Sequence, residues 1–345
     1  SHLTKICTSK LIPNLYIVTM PIIDVRSPSE YVKGHASGAI SIPLFSDEQR
    51  AEIGTIYKKK GSKKAIRLGL EYVGPRMYKI VDKVDKLRKN SEIEIYCWRG
   101  GMRSQSVEWL LKTAGHKVNR WEGGYKAYRN RVLESWGQER PYLVLSGLTG
   151  CAKTEILREM SLLGSSVIDL EGNANHKGSA FGHIGELSQP TVEQFENDTS
   201  IELNNLNDVK RIWIEDESRS IGRIWLQNSF FDIKKRSPIV LIERNREERI
   251  SHLVSLYGKA DPNQLEVGFY QIAKRLGHQN AKKAAEFVSS GKLDLAADIA
   301  LYYYDKTYNE SIRKKENQVL FKIDITGCSH KEAAIKIIEE TKKHE

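Results

Sequence analysis

The segment Ile93–Ser106 (IEIYCWRGGMRSQS) constrains the fold of this 345-residue chain more than any other. A short apolar run ends at Cys97, a loop with Gly100 and Gly101 follows, and apolar residues then recur at helical spacing. A buried strand that runs through a glycine-rich loop into a helix is typical of parallel α/β folds. Such a loop can turn backbone N–H groups inward and bind an anion at the helix N-terminus.

Cys97 is the main candidate for a reactive cysteine. The chain has no CxxC pair, which argues against a disulfide framework or a zinc site, and its cysteines lie far apart at Cys7, Cys97, Cys151 and Cys328. A helix N-terminus and nearby arginines stabilise a thiolate. A cysteine that is merely buried in a strand is the alternative, and it accounts less well for this loop. The sequence therefore predicts an anion-binding loop formed by Trp98, Arg99, Gly100, Gly101, Met102, Arg103 and Ser104.

The pattern of elements predicts two α/β domains. Before residue 138, β-like runs at 22–25, 93–97 and 118–121 alternate with helical stretches at 78–89 and 104–114. A polar stretch bracketed by Gly and Pro then precedes a new apolar strand, so we place the domains at 1–138 and 139–345. The second domain has strand-like runs at 142–146, 166–170, 211–215, 239–243 and 320–325, with a mainly helical segment at about 246–318. The fold class is therefore α/β, with a parallel sheet in each domain.

The second domain begins with a glycine-rich loop. The sequence GLTGCAKT (147–154) follows an apolar strand and precedes a helical pattern, and it resembles the P-loop that binds diphosphates. The predicted diphosphate-binding residues are Gly147, Thr149, Gly150, Cys151, Ala152, Lys153 and Thr154. The motif GxxxxGK[ST] requires glycine where Ala152 stands. Because a Cβ restricts the backbone angles and the approach of phosphate there, Ala152 puts phosphate affinity in question.

Two further stretches supply candidates for this second site. The strand-like run 211–215 ends in carboxylates, where a P-loop fold places metal-side groups, and this predicts roles for Glu215, Glu217 and Arg219. The stretch 170–182, which reads as a loop, adds Glu171, His176 and Lys177. Acidic residues at strand ends often only cap helices or face solvent, and a lone histidine is often structural. Mg²⁺ is compatible with these carboxylates, and the sequence does not identify the metal.

The charge of the chain is concentrated in the first domain. Residues 1–138 hold 25 Lys and Arg against 13 Asp and Glu, whereas residues 139–345 hold 29 against 31. This excess, with the run KKKGSKKAIR (58–67), favours a polyanionic partner, although a solvated lysine-rich surface is the alternative. No apolar run approaches the roughly 18 residues of a membrane span. The sequence therefore predicts no membrane partner, and the opening segment lacks the layout of a secretory signal, so we expect a cytoplasmic protein.

Motifs around the cysteine loop resemble the rhodanese domain. The segment IIDVRSPSEYVKGHASGAISIPL (22–44) is similar to the start of that domain, and WEGGY (121–125) is similar to the turn that follows its active loop. The resemblance implies a cysteine that carries sulfur or selenium. The spacing from Cys97 to Arg103 is Cys-x5-Arg, which also occurs in related cysteine phosphatases. A loop of this size suits a phosphate-sized group, so a phosphoester and a phosphorylated selenium donor are both candidate ligands.

The two modules in this order resemble the tRNA 2-selenouridine synthase family, over residues 21–330. The resemblance rests on the CWRGGMRS loop, the P-loop, the stretch LEGNANHKGSAFG (170–182) and the strand end IEDES (214–218). It implies conversion of 5-substituted 2-thiouridine at the tRNA wobble position to 2-selenouridine. The sulfur is first geranylated from geranyl diphosphate, and selenophosphate then delivers selenium as the geranyl thiol leaves.

The resemblance also implies roles and partners. Cys97 would transfer selenium, and the P-loop would bind the diphosphate of geranyl diphosphate, so ATP is not expected to be required. The basic first domain would contact tRNA phosphates. An enzyme that produces selenophosphate is a candidate partner. Two other functions remain open from the residues alone, namely a Cys-x5-Arg phosphatase and an ATP-binding regulatory protein with a rhodanese partner domain.

Overall fold

The computed structural model describes residues 20–87 and 92–344, and the chain forms two compact units that divide between Asn130 and Arg131. Cys7 and positions 88–89 of the predicted helix 78–89 lie outside the described residues. The division falls inside the helix Gly124–Trp136, and the predicted boundary after residue 138 lies just beyond the end of that helix.

The first unit is built on a parallel sheet with strand order β2-β1-β3-β4. The strands are β1 (Ile22–Asp24), β2 (Ile40–Ser41), β3 (Ile93–Tyr96) and β4 (Val118–Arg120). The helices are α1 (Pro28–Lys33), α2 (Asp47–Lys60), α3 (Ser62–Val73), α4 (Met77–Asp85), α5 (Met102–Thr113) and α6 (Gly124–Trp136). Because β1 and β3 are parallel neighbours, their carboxyl ends meet, and the segments after Asp24 and Tyr96 lie side by side.

The second unit holds a larger parallel sheet with strand order β11-β10-β5-β7-β6. Its strands are β5 (Tyr142–Gly147), β6 (Val167–Ile168), β7 (Ile212–Glu215), β10 (Ile239–Glu243) and β11 (Val319–Asp324), and a separate hairpin joins β8 (Ser220–Ile221) to β9 (Ile224–Trp225). Every residue of β5 is buried, as expected for a central parallel strand covered on both faces. The loop after β5 therefore opens at the carboxyl edge of the sheet, next to the end of β7.

Helices cover this sheet and extend from it. They are α7 (Lys153–Leu162), α8 (Leu170–Ala174), α9 (Val192–Asn205), α10 (Asn228–Arg236), α11 (Arg246–Tyr257), α12 (Pro262–Gln271), α13 (Ala273–Leu276), α14 (His278–Ser289), α15 (Leu293–Lys314) and α16 (His330–Lys342). Helices α12 to α15 pack around their own apolar core, which includes Leu265, Phe269, Leu276 and Ala281. This helical core is distinct from the core beneath α7 and α16.

The predicted fold class is confirmed, including the helical segment at 246–318, which contains α11 to α15. One local prediction was wrong. The strand expected at 166–170 ends at Ile168, and the stretch expected to be a loop begins with α8. The Asp169 side chain caps that helix by accepting the backbone N–H of Gly172 at 2.6 Å. Within the described ranges, no helix has the length and apolar character needed to cross a membrane.

Candidate functional site

Cys97 lies at the carboxyl end of β3, where α5 begins. Its side chain is buried, with Sγ 3.2 Å from Ser104 Oγ and 3.8 Å from the carbonyl oxygen of Gly101. The Ser104 hydroxyl donates to the same carbonyl at 3.1 Å. Gly101 is the N-cap of α5, so the unpaired N–H groups and positive dipole end of that helix lie next to the sulfur. The structure thus brings Cys97, Gly101 and Ser104 together.

The WEGGY segment holds the cysteine loop through backbone contacts. The N–H of Tyr125 donates to the Cys97 carbonyl, and the N–H of Lys126 donates to the Trp98 carbonyl, each at 2.9 Å. A Cβ at Gly124 would lie 2.3 Å from the Cys97 carbonyl oxygen and 2.4 Å from the backbone nitrogen of Gly100. Gly124 also has φ +60°, so both the space and the backbone angle require glycine.

The remaining residues of the predicted loop point in different directions. Arg103 turns to Glu30, with Nη1 2.7 Å from Oε2, and it therefore braces the loop against α1. Burial raises the pKa of Glu30, but the hydrogen bond and charge of Arg103 outweigh this and lower it below its ordinary value. Trp98, Arg99 and Met102 are exposed. The loop thus presents a buried sulfur beneath an exposed rim.

The P-loop has the close backbone packing that its glycines predict. A Cβ at Gly147 would lie 2.6 Å from the Ile242 side chain, and one at Gly150 would lie 2.8 Å from the Arg249 carbonyl oxygen. The Lys153 ammonium donates to the Gly147 carbonyl at 2.9 Å and so folds over the loop. Burial lowers the pKa of Lys153, but nearby acidic groups, including Tyr308, raise it overall. Lys153 is therefore charged and faces the loop interior.

Ala152 adopts a backbone conformation that favours glycine. Its φ of 62° and ψ of 38° lie in the left-handed region, directly before α7. For a residue with a Cβ this conformation costs about 1–2 kcal/mol. The side chain of Cys151 points away from the loop and is buried in the core beneath α7. Burial raises the pKa of its thiol.

Three carboxyl groups lie together beside the P-loop. The Thr154 hydroxyl donates to Glu171 Oε2 at 2.7 Å, and the backbone N–H of Glu171 donates to Glu215 Oε2 at 3.3 Å. Glu217 completes the group, because a Cβ at Gly178 would lie 2.5 Å from Glu217 Oε2 and 2.6 Å from Glu171 Oε1. The sequence predicted these residues separately, and the fold collects them.

These carboxyl groups are harder to ionise than usual. Burial and the neighbouring Glu217 raise the pKa of Glu171 to about 8. Burial and the charge of Glu171 raise the pKa of Glu215, whereas for Glu217 burial outweighs the lowering effect of Lys153. Glu215 Oε1 is buried without a hydrogen-bond partner. A bound cation would relieve both the repulsion and the unpaired oxygen.

Asp216, between Glu215 and Glu217 at the same strand end, is held by lysines and a serine. It accepts hydrogen bonds from Ser146 and Lys315, both at 2.8 Å, and lies 3.5 Å from Lys234. Burial raises the pKa of Asp216, and the two lysines more than offset this, so the net shift is downward. Asp216 is thus an ionised partner for lysines rather than a fourth member of the glutamate group.

Of the other three predicted residues, His176 and Lys177 lie at the site, and Arg219 lies on the surface. His176 is buried against Gly182 and Gly222, and burial lowers its pKa. Lys177 pairs with Glu186 at 2.8 Å. Both His176 and Lys177 line the cavity described next. Arg219 is exposed and bonds to Asn228, and it does not line that cavity.

A cavity of about 430 Å³ extends from the P-loop into the helical core. At one end it is lined by Lys153, Thr154, Glu171 and Glu217. Polar side chains of Glu155, Arg158, Ser179, Glu186 and His252 also line the cavity. The apolar and aromatic side chains come from Phe181 and from α11, α12, α14 and α15: Leu253, Val254, Leu256, Tyr257, Leu265, Phe269, Val288, Leu293, Ala296, Ala297, Ala300, Tyr304 and Tyr308. The site therefore joins a charged anion end to a long apolar end.

These apolar walls were not predicted from the sequence. One signal was available: Ala296, Ala300, Tyr304 and Tyr308 are spaced four residues apart, which places them on one face of a helix. In isolation such a stripe reads as ordinary core packing. Only the fold shows that the small residues face a cavity next to the P-loop.

A magnesium ion is compatible with the charged end of the cavity. In the part of the chain that the structure describes, no group of three or more His, Cys, Asp or Glu side chains has the arrangement of a metal site. Mg²⁺, however, is usually held by only one or two carboxylates together with phosphate oxygens. Thr154, Glu171 and Glu217 fit that pattern, and the unpaired Glu215 oxygen behind them is consistent with it.

Comparison with known proteins gives matches to both units. A family model described as the tRNA 2-selenouridine synthase AAA domain matches residues 140–336, and one described as a rhodanese-like domain matches residues 10–131. A tRNA 2-selenouridine synthase of Shewanella denitrificans is 33% identical over 93% of this chain and 96% of its own length. Relatives of the same name from Shewanella sp. (strain ANA-3) and Shewanella pealeana are each 34% identical, over 91% and 88% of this chain and 96% and 92% of their own lengths.

Proposed function

The chain belongs to the tRNA 2-selenouridine synthase family, whose members are tRNA-modifying transferases, and we propose that it works in two steps at two sites. In the first, geranyl diphosphate alkylates the sulfur of 5-substituted 2-thiouridine at the tRNA wobble position. In the second, selenium from selenophosphate replaces the alkylated sulfur, and geranyl thiol leaves. The formation of selenouridine in tRNA follows from the family, and the two co-substrates are our proposal.

The cavity next to the P-loop is the observation that carries this proposal. Lys153 and the first turn of α7 offer charge and N–H groups to a diphosphate. The walls beyond them are mainly apolar and end in the helical core, which suits a hydrocarbon chain. A nucleotide would leave its polar sugar and base against these walls, so we expect prenyl diphosphate rather than ATP to occupy the cavity.

In the first step, the thiouridine sulfur forms a bond to C1 of the geranyl group as the C1–O bond to diphosphate breaks. The proton on N3 of the base is lost, because S-alkylation removes the thioamide form. Lys153 would stabilise the charge that develops on the departing diphosphate. Mg²⁺, held by Thr154 with Glu171 and Glu217, would supply further charge neutralisation when bound. Tyr308, beside Lys153, would help to close this end from water.

In the second step, Cys97 at the N-terminus of α5 would assist selenium transfer by orienting the selenophosphate donor, with no change in the oxidation state of its sulfur. Alkylation of the thiouridine sulfur turns a poor leaving group into a good one, so the selenium of selenophosphate can form a bond to C2 as the C2–S bond breaks and geranyl thiol leaves with the proton of the donor. Water then cleaves the Se–P bond and leaves 2-selenouridine and inorganic phosphate. The unpaired N–H groups of the first turn would hold the phosphate of selenophosphate, and the exposed Arg99 is available to it. Arg103 supports the loop through Glu30. An enzyme that makes selenophosphate would supply the donor.

We assign tRNA binding to the first unit in particular. The run 58–67 joins α2 to α3, and its lysines and Arg67 are exposed. Exposed lysines bind nucleic-acid phosphates with release of counterions, so the affinity for tRNA should fall with salt. Because tRNA is the substrate, we expect the protein to act in the cytoplasm.

The test separates the two steps by mutation. An anticodon stem-loop with 2-thiouridine is incubated with geranyl diphosphate and then with selenophosphate, without ATP, and its nucleosides are identified by mass spectrometry. Lys153→Ala should reduce geranylation by about 100-fold or more, because a charged donor to the leaving group is lost. Cys97→Ser should geranylate normally and accumulate geranylthiouridine. Exposed Lys331→Ala and the partly buried Cys328→Ser are the matched controls and should do both steps.

The same experiment addresses the two other functions. If neither modified nucleoside appears, even with Ala152→Gly, the proposal is wrong. Turnover of p-nitrophenyl phosphate that depends on Cys97 would favour a phosphatase, although Arg103 is bonded to Glu30 rather than free for phosphate. A requirement for ATP in either step would favour the nucleotide-dependent alternative.

A further inference from the structure

One face of helix α15 follows the cavity from end to end. Tyr308 marks the charged end, because its ring centroid lies 5.6 Å from Lys153 Nζ. From there the cavity-facing positions recur every three or four residues toward the start of the helix, at Tyr304, Ala300, Ala297, Ala296 and Leu293. At about 1.5 Å per residue, Ala297 lies about 16 Å and Leu293 about 22 Å along the axis from Tyr308.

The position of this helix relative to the P-loop is fixed by Arg249. Its Nε donates to the Thr149 carbonyl at 2.8 Å, and its guanidinium pairs with Asp305 of α15. Arg249 is 3% exposed, so this is a buried bidentate ion pair of the kind that holds one geometry. Arg246 adds a second tie to α15, at 2.7 Å from Asp298. Because α15 is fixed relative to the P-loop, the position of a residue along α15 also gives its distance from the P-loop.

Side-chain size changes along the face. Along α15 the lining changes from the small Ala300, Ala297 and Ala296 to the larger Leu293 at the start of the helix, and Val288 and Phe269 of neighbouring helices also line the cavity. The Phe269 ring packs edge-on against Phe181, with centroids 4.9 Å apart. Phe181 in turn leaves no room at Gly268, where a Cβ would lie 2.5 Å from its ring. The wall at Phe269 is therefore held in place.

We infer that α15 measures the prenyl chain, with Ala297 and Ala300 admitting two isoprene units and the wall at Leu293 and Phe269 excluding a third. This rests on the proposed function. With carbon–carbon bonds of about 1.5 Å, an extended geranyl diphosphate spans roughly 15 Å and farnesyl diphosphate roughly 20 Å. The first reaches Ala297 from the lysine end. The second extends past Ala297 to within about 2 Å of the level of Leu293, where the larger side chain begins.

The test measures dissociation constants for inorganic diphosphate and for dimethylallyl, geranyl and farnesyl diphosphates, in this chain and in its Ala152→Gly form. Geranyl diphosphate should bind best. Ala297→Leu enlarges a small side chain of the lining and should weaken geranyl binding by roughly tenfold or more, because a pocket discriminates by about this factor per methylene. It should leave inorganic and dimethylallyl diphosphate within about twofold, since they stop short of Ala297.

A substitution that enlarges the cavity should allow a longer prenyl chain to bind. Phe269→Ala should improve farnesyl binding by roughly tenfold and leave inorganic diphosphate unchanged. Leu293→Ala is the second variant, in case loss of the Phe269 ring destabilises the helical core. Ile272→Ala is the matched control, because Ile272 belongs to the same core but does not line the cavity, and it should not change the order of preference.

The outcomes separate the two ideas. If no prenyl diphosphate binds better than inorganic diphosphate, in either form of the P-loop, the proposed function fails and this inference fails with it. If geranyl diphosphate binds best but the folded variants keep that order, or weaken all four ligands equally, the measuring role of α15 is wrong and the proposed function stands.

Discussion

The two anion loops of this protein have the same local design and are stabilised differently. Each follows a buried parallel strand, turns on glycines and enters a helix. The Cys97 loop is held by backbone hydrogen bonds from the segment after β4, and its sulfur is buried under an exposed rim. The Lys153 loop is held by side chains, with Arg249 on one carbonyl and Lys153 on another.

This difference follows from the size and charge of what each loop would hold. A cysteine that assists selenium transfer needs a small, fixed setting, and backbone hydrogen bonds supply most of it, together with one bond from Arg120 to the Gly100 carbonyl. A diphosphate with a hydrocarbon chain needs cations, carboxyl groups and a long apolar wall in one place. Buried ionisable groups of the second kind are costly unless a ligand completes them. The stability of the Cys97 loop should therefore depend mainly on steric fit. The stability of the Lys153 loop should depend mainly on its charged groups and on bound ligand.

Gly124→Ala should produce the largest loss of stability among the single changes considered. The new Cβ would overlap the Cys97 carbonyl and the Gly100 nitrogen, and alanine is strained at φ +60°. We expect the first unit to lose about 3 kcal/mol or more of unfolding free energy, with loss of selenium transfer. Diphosphate binding in the second unit should persist. Denaturant unfolding followed by tryptophan fluorescence, together with calorimetric titration of diphosphate, measures both.

Gly54→Ala is the control for that substitution. Gly54 lies inside α2, and a Cβ there meets nothing within 4 Å. Alanine should stabilise the helix by about 0.5–1 kcal/mol. If Gly124→Ala behaves like Gly54→Ala, the backbone contacts do not hold the cysteine loop and the comparison of the two loops is wrong.

Ala152→Gly should have a smaller effect, of opposite sign and in the second unit. Relief of the left-handed strain is worth about 1–2 kcal/mol and exceeds the entropy that glycine adds to the unfolded chain. We expect a net gain of about 1 kcal/mol, or a rise in Tm of about 2–4 °C for a unit of this size, and tighter binding of diphosphate. Thermal melts with and without diphosphate measure the two effects separately.

The contrasting variant is Ala51→Gly, at an exposed position inside α2. There glycine should lower stability by about 0.8–1 kcal/mol, since it only adds unfolded-state entropy. Equal losses for both variants would mean that Ala152 is not strained. If Ala152→Gly raises stability but not diphosphate affinity, then Ala152 strains the backbone without obstructing the phosphate.

The sequence predicted the two loops well because their local patterns are strong. In the structure Cys97, Gly101 and Ser104 lie together, and so do Thr154, Glu171 and Glu217. Parallel strands bring their carboxyl ends to one edge, so residues after different strands meet. Arg103 instead braces the loop through Glu30, and the local pattern could not show this because the two residues are 73 positions apart in the chain.

The apolar cavity is the part that sequence could not predict. Helices α11 to α15 read as ordinary amphipathic helices, because a residue that lines a cavity and one that fills a core have the same pattern. The difference lies in the packing of four helices against each other, which depends on contacts between residues far apart in the chain. Ala296 and Val288, on separate helices, illustrate this: both line the cavity, and neither stands out in the sequence.

The smallest predicted effect concerns Glu30, and it tests whether charge contributes to the cysteine loop at all. The Arg103 ion pair lowers the pKa of Glu30 in the folded state, so ionised Glu30 stabilises the fold above its unfolded pKa of about 4.5. That stabilisation is lost as the pH falls through the lower folded pKa. Both side chains are partly exposed, so Glu30→Gln should cost no more than about 1 kcal/mol at pH 7. The difference from the unchanged chain should shrink below about pH 4.

Stability measured by urea unfolding between pH 3 and 8 gives this profile, with the exposed Glu71→Gln as the matched control. A Glu30→Gln deficit that is the same at every pH would mean that Glu30 acts through its shape and hydrogen bonds alone. The Arg120 bond to the Gly100 carbonyl would then still join a charged side chain to the cysteine loop. A deficit that disappears in acid means that the cysteine loop also depends on one ion pair. That ion pair joins the first turn of α5 to α1.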